Sequence, residues 1–198
     1  MSCKLPQSFY VNDDVVQVAK SLIGCRLFTS IEGVLTGGII VETEAYNGRT
    51  DRACHAFPNK RTPRTSVMYE QGGVAYVYFV YGMHYLFNIV THKEGFADAV
   101  LIRAIEPVHG VEDMMLRRGI NKCSQDLTGG PARLTKALGI DKSMNRLSLM
   151  ENKVWVEEPL ANYTFEIGVS ERIGVDYAGE DALLPWRFYA IGNKFVSK

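Results

Sequence analysis

The stretch "IIVETEAY", residues 39–46, reads as a β-strand carrying two glutamates in its interior. β-Branched residues fit a half-buried pleated surface, whereas glutamate is depleted there. Alternation puts Ile40, Glu42, Glu44 and Tyr46 on one face and Ile39, Val41, Thr43 and Ala45 on the other. The second face can pack without the acids. Same-face neighbours lie about 7 Å apart. At that spacing two carboxylates can act as an acid and a base, or sit in an ion-paired structural network.

The flanks of this strand set the fold class. Downstream, "VAYVYFVYG" (74–82), "YLFNIVT" (85–91) and "AVLIRAIEP" (99–107) are three consecutive strand candidates, rich in aromatic and β-branched residues. Upstream, "NDDVVQVAKSLIG" (12–24) predicts a helix with Asn12 as N-cap and Gly24 as its stop, and a hairpin at 31–33 leads into the opening strand. A short helix is expected at 111–118. "GGPARLTKALGI" (129–140) places Pro131 at the first helical position and Gly139 just past the end. "KVWVEE" (153–158), "YTFEIGVS" (163–170) and "WRFYAIG" (186–192) supply further short strands. With no repeat and no linker, residues 1–198 are expected to form one α+β domain, a curved antiparallel β-sheet flanked by short helices.

Composition agrees with a globular chain. It has 198 residues, 46% hydrophobic and 22% charged, enough for a core without staples. No apolar run is long enough for a bilayer and no signal-peptide pattern opens the chain, so the expected location is the cytoplasm and nucleoid of a bacterium or the nucleus of a eukaryote. Cys3, Cys25, Cys54 and Cys123 form no CxxC pair and are expected to be reduced. The net charge is zero, but its distribution is uneven. Residues 47–64 hold Arg49, Arg52, Lys60, Arg61 and Arg64 against Asp51, and residues 129–146 hold Arg133, Lys136, Lys142 and Arg146 against Asp141. These are either parts of a mixed solvated surface or two phosphate-binding patches. Residues 47–66 read as a long surface loop.

Further candidates for chemistry lie beside these segments. Tyr76, Tyr78 and Tyr81 fall within six residues, and Tyr81 adjoins Gly82 at a turn. Such tyrosines either pack in a core or present planes that stack on nucleobases. Asn88 and Arg103 interrupt apolar strands, and each needs a partner if buried. His55 follows Cys54 in the basic loop, but sequence adjacency makes no catalytic dyad. The histidines show no metal-ligand spacing, and the glycine pairs form no phosphate loop, although Gly129-Gly130-Pro131 can offer amides to a DNA phosphate.

In this order, "VETEAY", "DRACHAF", "TPRT", "YVYFVYGMHYLFNI", "VLIRAIEP", "GGPARLTKALGI" and "RIGVDYAGEDALLPWRFYAIG" resemble the alkyladenine (3-methyladenine) DNA glycosylase family from about Phe9 to Val196. The resemblance implies a monofunctional glycosylase of base excision repair that acts on double-stranded DNA containing damaged purines, works as a monomer, and uses neither cofactor nor metal. It implies that Glu44 activates the attacking water and that Arg103 helps hold glutamate and water. Tyr46, His55 and Tyr78 would form the pocket for a flipped base, Asn88 would stand at its edge, and Tyr81 would intercalate in the duplex. Glu42 has no catalytic match and is expected to pair structurally. Cys54 stands where a small non-thiol residue is expected, and residues 56–61 and 119–127 depart from the family pattern. Two other readings make distinct demands: a sugar or nucleoside hydrolase would use both glutamates, and a non-catalytic nucleic-acid-binding module would need neither.

Overall fold

The computed structural model describes residues 3–161 and 163–197. Its centre is a 13-residue strand, β2 (Val34–Tyr46), which contains the two glutamates. β2 is reached from β1 (Arg26–Ile31) through a two-residue turn in which Glu32 and Gly33 both have positive φ. Such turns match the twist of a hairpin. On its other edge β2 pairs with β5 (Asp98–His109). β5 in turn pairs with β4 (His84–Thr91), which pairs with β3 (Ala75–Val80). β6 (Val154–Glu157) extends the sheet beyond β1.

The curvature comes from β2 changing partners. Its first half, Val34 to Ile39, pairs with β1, whereas Glu42, Thr43 and Glu44 pair with β8 (Arg187–Ala190). β8 carries β7 (Ile167–Ser170), so eight antiparallel strands form one curled sheet. The glycine pair before "IIVETEAY" allows close strand approach: a Cβ on Gly38 would stand 2.3 Å from the Glu106 carbonyl oxygen.

Short helices cover the sheet. They are α1 (Gln7–Tyr10), α2 (Val15–Ser21), α3 (Val111–Arg118), α4 (Gln125–Thr128) and α5 (Pro131–Leu138). α5 begins with Pro131 and ends at left-handed Gly139, as its sequence implies. The N-cap of α2 is Asp14, not Asn12: Asp14 Oδ1 accepts from the amides of Val16 and Gln17, while Asn12 Oδ1 accepts from Asp14 N. Two acceptors compete for the start, and the one with two amides in reach becomes the cap. The main core joins Leu22, Leu27, Ile39, Ile102, Ile105, Met114 and Leu138, all buried. Each such side chain contributes about 1.5–3 kcal/mol of burial. Among the described residues no helix is long and apolar enough to cross a membrane.

Three further sequence expectations need correction. Strict alternation along β2 fails at Val41, because Ile40 opposes Ile105 while Glu42 opposes Ala104. The extra residue lets Ile39, Ile40 and Val41 all pack in the core, so Ile40 leaves the face of Glu42 and Glu44. The loop 47–66 is also not simply a surface loop: Asp51, Ala53, Cys54 and Ala56 are buried. Cys54 and Ala56 pack with Met68, Tyr76 and Ala99 in a second cluster beneath the sheet edge. Of "YTFEIGVS", only Ile167–Ser170 forms a strand.

Candidate active site

Glu44 and Glu42 are fully buried side by side, and a single arginine joins them. Along β5 the register passes from Ala104 opposite Glu42 to Ile102 opposite Thr43, leaving Arg103 as an extra residue. A bulge of this kind re-aims a side chain. Here Arg103 Nε donates to Glu42 Oε1 at 2.8 Å, and Nη1 lies 3.2 Å from Glu44 Oε1. Burial would lower the pKa of the guanidinium, but Glu44 and Glu42 outweigh it and raise it, so Arg103 stays charged.

The two carboxylates differ in how fully they are occupied. Glu42 takes four hydrogen bonds: from Arg103 Nε, from Arg187 Nε at 2.7 Å, from Ser197 N at 2.7 Å and from Ser197 Oγ at 2.8 Å. An ionised carboxylate offers about four acceptor sites, two on each oxygen; three of these donors crowd Glu42 Oε1, and Ser197 N reaches Oε2. Burial alone would raise its pKa, yet Arg103, Arg187 and the Ser197 amide hold it below the ordinary carboxylate value. Glu44 has three donors: Ile173 N at 2.8 Å and Arg103 Nη1 on Oε1, and the Tyr46 hydroxyl at 2.8 Å on Oε2. Each Oε2 thus carries one donor, but the donors of Glu44 are Tyr46, Arg103 and Ile173, all of which line the cleft, whereas Glu42 is held by two arginines and Ser197. Burial, then Glu44, pushes the Tyr46 phenol well above its ordinary pKa, which keeps it a donor.

Above Glu44 opens a cleft of about 1040 Å³ whose lining includes Tyr46, Arg103, Ile173, Tyr78 and Asn88. Its aromatic wall is built by β3 and the 47–66 loop. The His55 ring meets Tyr78 edge-on with centroids 4.6 Å apart, and Tyr76 tilts against Tyr78 at 5.1 Å. His55 Nε2 lies 3.2 Å from Arg64 Nη2, and His55 Nδ1 lies 3.0 Å from the Tyr76 hydroxyl. A guanidinium only donates, so Nε2 accepts and the ring proton sits on Nδ1, directed at Tyr76. Burial, then Arg64, brings the His55 pKa down to about 4, so the ring is neutral at physiological pH. Asn88 donates from Nδ2 to the Tyr76 carbonyl at 3.1 Å, which fixes its amide at the pocket edge.

At the cleft rim the β3–β4 hairpin presents Tyr81, 89% exposed. Met83 N donates to Val80 O at 3.2 Å across this turn, and Tyr81 and Gly82 both have positive φ (52° and 67°). A bulky residue in the left-handed region is disfavoured, and such strain concentrates where a side chain is held for use.

The structure thus brings Arg103, Tyr46, His55, Tyr78 and Asn88 together at one cleft, with Tyr81 at its rim and Glu44 buried behind Tyr46, Arg103 and Ile173. The proposed amide site at Gly129-Gly130 differs from expectation. Both amides are already taken, Gly129 N by Gln125 O and Gly130 N by Thr128 O. The basic segments are also partly neutralised: Arg49 pairs with Asp98, Arg52 with Asp181, Arg133 with Asp126 and Arg146 with Glu70. Cys54 is a packing residue, its thiol pushed up to about 12 chiefly by burial.

Three supports escaped the sequence reading. Ser197 holds Glu42 through backbone and side chain. Ile173 holds Glu44 through its amide, which no side-chain pattern signals. Arg172 is buried, forms a two-pronged pair with Asp51 (2.5 and 2.8 Å), and lies over the Tyr46 ring at 4.8 Å. It ties the 47–66 loop to the floor of the site. A lone arginine next to the acidic "GVDYAGED" looks like surface charge in sequence. Among the described residues no group of three or more His, Cys, Asp or Glu side chains is arranged to hold a metal ion.

The model of the methylpurine-DNA glycosylase family matches residues 8–194. A protein of Chlamydia felis is 47% identical over 186 residues, covering 93% of this chain and 94% of the relative. One from Clostridium acetobutylicum is 44% identical over 202 residues, covering 98% and 97%. One from Bacillus cereus is 43% identical over 202 residues, covering 98% of each. All three bear the name "Putative 3-methyladenine DNA glycosylase". Matched along nearly its whole length, the chain belongs to the methylpurine-DNA glycosylase family.

Proposed function

We propose that this protein takes damaged purines, of the kind represented by 3-methyladenine, 7-methylguanine, hypoxanthine and ethenoadenine, out of the duplex and releases them by a water that Glu44 activates. As a member of its family it is a hydrolase of N-glycosyl bonds, a DNA glycosylase of base excision repair. The observation that carries the finer reading is the inequality of the glutamates' surroundings: Glu44 is held by three groups, Tyr46, Arg103 and Ile173, that all line the aromatic cleft, whereas Glu42 takes four hydrogen bonds and is clamped between Arg103 and Arg187.

A base inside a duplex cannot be reached at its sugar, so it must leave the stack, at a cost of a few kcal/mol. Tyr81 would fill the vacated space, and the tyrosine faces of the cleft would receive the base. Alkylated purines are cations, which aromatic faces attract. Glu44 is fully buried, and its partners Tyr46, Arg103 and Ile173 line the cleft floor. A water entering between them binds Oε2 and is shielded from bulk solvent. As the bond from C1′ to the nitrogen of a cationic base breaks, the base takes its electron pair and leaves neutral; a neutral base such as hypoxanthine takes the pair as an anion and gains a proton to leave as the free base. The sugar gains oxocarbenium character that the carboxylate stabilises. The water oxygen bonds to C1′, and its proton passes to Glu44. Products are the free base and an abasic site.

The test is incubation with duplexes carrying each of the four lesions, scoring abasic sites after alkaline cleavage. Release from at least one lesion is expected. Release from none would overturn the reading.

A further inference from the structure

A second exposed tyrosine belongs to the same cleft. Tyr177 lies on the short helical segment Asp176–Leu183, lines the cleft, and is 70% exposed. Its hydroxyl donates to the Ala53 carbonyl at 3.0 Å. The same stretch is fixed to the 47–66 loop at two more points, by Arg172 on Asp51 and by Arg52 N on Asp181 Oδ2 at 2.9 Å. The ring is therefore held at its tip while much of its surface stays open to solvent. Single exposed apolar side chains are ordinary, but Phe79, Tyr81, Ile173 and Tyr177 are all exposed and all line this one cleft. The Tyr177 phenol also lies within electrostatic reach of both the Tyr78 and the Tyr81 phenols. It borders the space between the aromatic wall and the rim.

We propose that Tyr177 is a binding residue for the extrahelical nucleotide: its ring is a stacking face that the nucleotide meets between the rim at Tyr81 and the wall at Tyr78. This rests on the base-excision reading above. A ring already fixed by its hydroxyl loses little freedom when a ligand stacks on it. Every base has a π-face, so such a platform serves charged and neutral lesions alike. The hydroxyl of Tyr177 serves Ala53, and Glu44 is held by Tyr46, Arg103 and Ile173, so Tyr177 acts on capture and not on bond breaking. The alternative is a strap, in which only the hydrogen bond to Ala53 matters and the ring is idle.

The experiment measures single-turnover base release as enzyme concentration is varied, on a duplex carrying whichever of the four lesions the unmodified protein releases fastest. Binding to the undamaged duplex is measured beside it. The proteins are the unmodified chain, Tyr177→Phe and Tyr177→Ala, with heat unfolding to check that each is folded. Tyr177→Ala is expected to raise the half-saturating enzyme concentration about five- to 150-fold, the worth of one base–aromatic stack, with the maximal rate unchanged. Tyr177→Phe, which keeps the ring and loses the tie to Ala53, is expected to stay near the unmodified protein. Binding to undamaged duplex, where every base is still stacked, is expected to change little. An unchanged half-saturating concentration in Tyr177→Ala, a loss confined to the maximal rate, an equal loss in Tyr177→Phe, or an equal weakening on undamaged duplex would each overturn the proposal. Failure of the unmodified protein to release any of the four bases would instead overturn the reading on which it rests.

Discussion

Arg103 Nη1 stands 3.2 Å from Glu44 Oε1, and the side chain reaches there from a bulge on β5. The same guanidinium holds Glu42 through Nε at 2.8 Å. One arginine therefore orients both carboxylates, Glu42 clamped by a second arginine and Glu44 by groups that line the cleft, and this divides their consequences when either is changed.

Glu42→Gln is expected to act on stability. It removes a buried charge and leaves Arg103 and Arg187 short of a counter-ion, a change worth about 3–5 kcal/mol in buried pairs. Denaturant unfolding should show that loss, and the folded fraction should keep substantial activity. A stable Glu42→Gln protein with no turnover would favour the hydrolase reading in which both glutamates do chemistry.

Tyr81→Asn separates the rim from the fold. Asparagine tolerates the left-handed conformation that Tyr81 adopts at φ 52°, so thermal stability should hold or rise by up to about 1 kcal/mol. Base release at limiting enzyme should nevertheless fall, because no ring remains to fill the duplex. Unchanged release would remove the intercalating role.

His55 gives a pH signature. Its folded pKa is about 4 against an ordinary 6.5, so between those values the unfolded chain binds more protons than the folded one. Its contribution to stability is complete above about pH 6.5, declines as the pH falls, and is lost below about 4. Comparing unfolding curves of the unmodified protein and His55→Asn from pH 7.5 to 4 should show the difference shrinking across that window. A difference that is flat with pH would contradict the neutral buried ring.

Much of this was legible before any coordinates. The period-2 strands, the Pro131 to Gly139 helix and the exposed tyrosine beside Gly82 follow from local chemistry, and local chemistry is what a sequence displays. The bulges at Val41 and Arg103 were not legible, because each depends on the register of two strands some sixty residues apart in the chain. The same holds for Arg172 with Asp51 and for Ser197 with Glu42, whose partners meet only after β8 docks on β2. The 47–66 loop looked like solvent-exposed charge because its buried residues, Asp51, Ala53, Cys54 and Ala56, are small or polar and leave no apolar pattern.

The central claim is that Glu44 alone activates the water, and Glu44→Gln tests it most directly. Glutamine keeps the shape, its oxygen can accept from Ile173 N and its amide nitrogen can donate to the Tyr46 hydroxyl oxygen, so the fold and the capture of lesion-bearing duplex should change little. Single-turnover release of 7-methylguanine is expected to fall about 10²–10⁴-fold, the range for loss of a general base. Release within a few-fold of the unmodified protein, with duplex binding intact, would contradict the account.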